Sequence, residues 1–129
     1  MNTPNRVTHF EVPADQPARA KTFYEKTFGW KIEQFPGMEY WSVHTVPTDD
    51  KRQPKEIGAV NGGIGKRDAA NLAHPVFTID VPDIERALTT VEKNGGKTVQ
   101  KKTPAGDMGF TAYFRDSEGN VVGLWQATR

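Results

Sequence analysis

The chain matches itself when shifted by 67 residues, and this internal repeat constrains its fold more than any other feature. Phe10 meets Phe77, Arg19-Ala20 meets Arg86-Ala87, Thr22 meets Thr89, Glu25-Lys26 meets Glu92-Lys93 and Gly29 meets Gly96, seven identities in the 21 positions from 9 to 29. Two unrelated amphipathic helices ending in Gly would share the helical part of this pattern. Here the matches run back into the segment before the helix, so a duplication accounts for them better. The repeat predicts two alike modules, 1–66 and 67–129, in a single domain of ordinary size.

Each half reads in the same order. Residues 6–12 (RVTHFEV) have the pattern of a strand, and residues 15–28 space Ala20, Phe23, Tyr24 and Phe28 along one helix face, with Asp15 as N-cap and Gly29 as the stop. WKIEQF and MEYWSVHTV follow as strands, PTDDKRQPK as a polar loop and EIGAVNGGI as the module's last strand. In the second half PVFTIDV is a strand, and residues 83–94 are a helix capped by Asp83, with Ile84, Ala87, Leu88 and Val91 on one face and Gly95-Gly96 after it. KTVQKK, GFTAYFRD and NVVGLWQ complete the module, the last two joined by a turn at Ser117-Glu118-Gly119, and GKRDAANLAH (65–74) connects the halves. The order βαβββ, twice, predicts an α+β fold with mixed, curved sheets rather than a doubly wound parallel sheet. Phe23 and Leu88 are expected on the buried helix faces.

Composition narrows the function. Seventeen basic against sixteen acidic residues leave a net charge of +1, which gives no general attraction to nucleic acid or to an anionic membrane. No apolar run approaches the roughly 20 residues of a membrane span. The absence of cysteine excludes disulfides, thiol nucleophiles and cysteine-held zinc, and the opening MNTPNRVTHF lacks a secretory pattern, so a cytoplasmic setting is expected. Gly62-Gly63-Ile64-Gly65-Lys66 is read as a strand end and linker rather than a phosphate loop, since no helix follows it. The partner is then a small organic molecule or another protein.

With this order, and with HFEVPADQPARAKTFYEKTFGW in the first half and DVPDIERALTTVEKNGGKTV then FRDSEGNVVGLWQ in the second, the chain resembles the vicinal oxygen chelate superfamily. That superfamily includes glyoxalase I, bleomycin-resistance proteins and extradiol dioxygenases. The resemblance implies paired modules around a cup-shaped cavity and a two-fold homodimer. In the chelating members it also implies a divalent cation held by the first and last strands of each module, through two His, or His and Gln, with two Glu. Carried over residue by residue, the first-strand position falls on His9 and its counterpart on Val76. The last-strand positions fall near Gly123 and among Ala59, Asn61 and Gly63.

Only His9 of these is a strong ligand, so no resident metal is expected; a displaced set of His9, Glu11 and His74 is the alternative. The aromatic side chains Tyr40, Trp41, Phe110, Tyr113 and Trp125 instead suit an organic ligand. The expected site is His9 with Glu11 as an acid–base pair, and Trp41, Asn61, His74, Tyr113 and Trp125 around the ligand, with His44 on a face that the sequence leaves open. The expected function is small-molecule binding of the glyoxalase/bleomycin-resistance kind without the usual metal site. A divergent metal-dependent glyoxalase-type lyase or isomerase and a protein-interaction module are the alternatives.

Overall fold

The two helices begin 67 residues apart, α1 over Pro17–Phe28 and α2 over Ile84–Lys93, as the repeat predicts. The computed structural model describes residues 4–68 and 72–128; residues 69–71 of the expected connector lie outside the described residues. Around the helices run β1 (Val7–Ala14), β2 (Lys31–Gln34), β3 (Tyr40–His44), β4 (Gly62–Lys66), β5 (Val76–Asp80), β6 (Lys97–Ala105), β7 (Gly109–Arg115) and β8 (Val121–Ala127), which is βαβββ twice. The fold is α+β with mixed strand pairing. The strands run β2-β3-β4-β1 in the first module and β5-β8-β7-β6 in the second. In each, the first and last strands are parallel and the other neighbours antiparallel.

Contacts divide the chain into two compact units, one His9–Pro75 and the other Val76 onward together with the residues before His9. The boundary falls at Pro75 rather than at residue 66 because the connector is tied to the first unit. Arg67 pairs with Asp15 at 2.9 Å and donates to the Ala73 carbonyl at 2.6 Å, while its backbone N–H donates to the Ala14 carbonyl at 3.0 Å. This pairing also corrects the expected cap. Asp15 is spent on Arg67, and α1 starts after Gln16 with no side-chain cap, its first turn set by Pro17.

Each unit buries one face of its sheet under its helix. In the first, Ala14, Ile32, Val43 and Ile64 form the core, with Phe10, Val12, Ala20, Tyr24, Trp30 and Trp41 packed on it. In the second, Val81, Ile84, Leu88, Ala112, Phe114, Val122 and Leu124 do so. The helices differ in how they seat. Asp83 accepts the Arg86 N–H at 3.1 Å, and Gln126 of β8 accepts the Ile84 N–H at 2.8 Å, so α2 is capped twice and pinned to its sheet. Helix α1 buries no residue fully.

Phe23 is therefore not a core residue: it is 55% exposed, and Phe28 is 61% exposed. The inward face is carried by Ala20 and Tyr24, whose ring stacks on Trp30 at 4.9 Å, and Phe23 only meets the edge of Tyr24 at 5.1 Å. The expected strand over 56–64 is also shorter. A turn from Glu56 to Ala59 with Gly58 at φ 87° breaks it, and β4 starts at Gly62.

Leu88→Ala should cost about 2–5 kcal/mol of unfolding free energy by chemical denaturation, the usual cost of a cavity at a buried leucine. Phe23→Ala should cost about 1 kcal/mol or less, the worth of one aromatic edge contact. A large loss at Phe23 would contradict the placement of α1.

Candidate functional site

Strand alternation puts the polar chemistry of each unit on the sheet face turned away from its helix. On β1, Phe10, Val12 and Ala14 point to the core, so His9 and Glu11 lie on the opposite face. On β3, Trp41 and Val43 point to the core, leaving Tyr40, Ser42 and His44 on the same side as His9. Strand β4 runs between β3 and β1, with Glu11 opposite Gly63 and Ser42 also opposite Gly63.

The absence of a side chain at Gly63 shapes this face. A Cβ there would fall on the Tyr40 hydroxyl and ring, and one at Gly65 would meet the Leu72 side chain at 2.9 Å. Tyr40 thus lies over the glycine strand and brings its hydroxyl 3.0 Å from His9 Nε2. Burial of His9 lowers its pKa from the ordinary 6.5, and the charge of nearby Glu11 opposes this to a smaller extent. At neutral pH His9 is accordingly a neutral imidazole that holds one hydrogen bond to a phenol. His44, on the same face, buries Nδ1 without a hydrogen-bonding partner. Such a group costs about 1–3 kcal/mol to leave unsatisfied.

The equivalent face of the second unit is aromatic. Tyr113 stands opposite Gly123, and Trp125 opposite Thr111, while Ala112, Phe114, Val122 and Leu124 turn to the core. Gly123 pairs with Thr78 as Gly63 pairs with Glu11, so the two glycines are structurally equivalent. A Cβ at Gly123 would lie 2.8 Å from the Thr78 hydroxyl.

Of the residues the sequence nominated, His9 and Glu11 share a face as expected, but the hydrogen bond of His9 goes to Tyr40. Asn61 is a structural clamp. Its Oδ1 accepts the N–H groups of Thr45 at 2.8 Å and Val46 at 3.1 Å, and its Nδ2 donates to the Val46 carbonyl at 3.2 Å, fixing the chain after β3. Trp41 packs on the helix side against the core, with Ile64 as its cross-strand partner, and so leaves the site. His74 precedes β5 in an exposed bend, off any strand face, which separates it from the displaced ligand set. Tyr113 and Trp125 lie on the helix-free face of their own unit. Tyr40 is the residue that sequence reasoning missed as the partner of His9. The signal was the Gly62-Gly63 pair inside a strand, which marks a close approach by another group.

These residues do not fit a chelated cation. His9 Nε2 is engaged by Tyr40, the space beyond Gly63 is filled by that same side chain, and the space beyond Gly123 is bounded by Thr78. Val76, 4% exposed, offers no donor. Among the described residues no three His, Cys, Asp or Glu side chains converge as ligands would.

The fold defines a class, and sequence comparison agrees with it. The chain belongs to the Glyoxalase/Bleomycin resistance protein/Dioxygenase superfamily, whose family model matches residues 6–124. It is 30% identical over 120 residues to a glyoxylase-like domain-containing protein of Didymella fabae, covering 90% of this chain and 89% of that one. It is 28% identical to the Mycobacterium bovis protein CFP32, and spans only 47% of the length of that protein. The fold matches a superfamily member from Vibrio splendidus with TM-score 0.60 at 14% identity, over 97% of this chain and 100% of that one. It also matches methylmalonyl-CoA epimerase from Mycobacterium tuberculosis with TM-score 0.62 at 10% identity, over 95% and 88%.

The depressed pKa of His9 fixes the sign of a pH effect. Between 6.5 and its lower native value the unfolded chain binds more protons than the folded one, so stability is lost as pH falls through that window. Denaturation midpoints should drop from pH 7 to pH 5.5, and His9→Gln should flatten part of the slope. A His9→Gln profile parallel to the native one would contradict the burial of a neutral imidazole.

Proposed function

We propose that this chain binds a small organic ligand on the helix-free face of its first unit and does so without the divalent cation of the chelating relatives. The observation that carries the reading is the polar row His9, Tyr40 and His44 in the first unit, where a neutral imidazole is hydrogen-bonded to a phenol and a second imidazole buries Nδ1 without a partner. An unsatisfied buried group calls for an explanation, and a ligand that supplies the missing bond is one. Taken by themselves, Tyr113 and Trp125 give the helix-free face of the second unit an aromatic surface that suits a flat molecule. His9 is the polar anchor, with Glu11 the carboxylate beside it that would assist any proton transfer. A cytoplasmic setting and a two-fold dimer belong to the same proposal. The exposed Phe23 and Phe28 of α1 support the dimer.

The test is a thermal-shift screen of planar aromatic compounds against the native chain and the variants His9→Gln and His44→Phe. His44→Phe should leave the unliganded protein as stable or more stable, because it removes the unsatisfied nitrogen, and should weaken ligand binding. Hits that bind both variants as well as the native chain would contradict the reading. So would a rise in melting temperature with nickel, zinc, manganese or iron alone.

A further inference from the structure

We propose that Tyr40 is the residue that makes this face refuse a cation, and that glycine at 63 exists to admit it. This inference rests on the metal-free reading above and adds its cause. Three observations carry it. The Tyr40 hydroxyl sits 3.0 Å from His9 Nε2 and so occupies that nitrogen. A residue-63 side chain would overlap the Tyr40 ring and hydroxyl as they lie here, so a carboxylate at 63 would have to displace Tyr40 from this position. Glu11 lies directly across from Gly63, so a glutamate introduced at 63 would stand on the same face as His9 and Glu11. One side chain therefore both occupies the imidazole and fills the place of a second donor. The strand β4 is glycine at 62, 63 and 65, and no other described side chain lies within the reach of a Cβ at 63 as closely as Tyr40 does.

Removing Tyr40 while supplying the carboxylate should turn the face into a three-donor site of one imidazole and two carboxylates, which suits a borderline divalent cation. Isothermal titration of the full chain with nickel chloride and with zinc chloride reads this directly, with far-UV circular dichroism as the check on folding. The native chain should show no one-to-one binding that depends on His9. The Tyr40→Ala/Gly63→Glu variant should bind at least about tenfold tighter than the native chain, about 1.4 kcal/mol, and His9→Gln in that background should remove the gain. Tyr40→Ala alone, which adds no atoms to β4, should show a smaller gain that is likewise lost with His9→Gln, and it carries the test if the double variant does not fold. Folded variants with native cation affinity would overturn the role of Tyr40 and leave the metal-free reading standing. One-to-one binding by the native chain that His9→Gln abolishes would overturn both.

Discussion

The hydrogen bond between His9 and Tyr40 is the constraint on which the arrangement of the first unit depends. It joins β1 to β3 across an intervening strand, about 9–10 Å at the usual strand spacing, and a tyrosine spans that distance only if the strand between presents no side chain. Strand β4 meets the condition with glycine at 63 and 65, the positions on the face that Tyr40 crosses. Such a strand contributes few apolar contacts of its own beyond Ile64, so it is held by pairing with β1 and β3 on either side. The chemistry follows from the same contact, because an imidazole buried against a phenol remains neutral and is not presented as an open ligand.

The two modules show how one duplicated unit has resolved the same positions differently. Gly63 and Gly123 occupy equivalent places beside the first strand, but one is overlaid by a tyrosine from a neighbouring strand and the other is bounded by the hydroxyl of Thr78. His9 in the first module corresponds to the buried Val76 in the second. The helices have diverged as well. Helix α2 is capped by Asp83, tied to Gln126 and packed through Ile84 and Leu88, whereas α1 lies on its sheet through Ala20 and Tyr24 and leaves two phenylalanines outside. The second helix therefore has the features of a stability anchor, while the polar row that carries the proposed function belongs to the first unit.

Most of the fold was legible because the hydrophobic periods and the repeat agree with each other. The 67-residue spacing of the helices, the βαβββ order and the face of Leu88 follow from spacing alone. Phe23 misled because helical spacing cannot distinguish the centre of a buried stripe from its flank, and on α1 the aromatic ladder from Tyr24 to Trp30 takes the centre. Asp15 misled because a carboxylate before a helix can cap it or pair elsewhere, and Arg67 is 52 residues away. The candidate site was legible in part. The helix-free faces of His9, Glu11, Tyr113 and Trp125 follow from strand alternation, but the helix-side placement of Trp41 required knowing which face of β3 meets the core. Asn61 required knowing that the chain after His44 turns back onto it. The His9–Tyr40 contact crosses an intervening strand, and no local pattern encodes it.

The account is tested most directly by nitrogen-15 NMR of the histidine side chains in the native protein at pH 7, with His9 assigned by the loss of its signals in His9→Gln. The expected spectrum shows a neutral His9 ring whose Nε2 shift changes in Tyr40→Phe and does not respond when zinc or nickel is added at one equivalent. A protonated His9, a Tyr40→Phe spectrum identical to the native one, or a cation-dependent shift of Nε2 would contradict it.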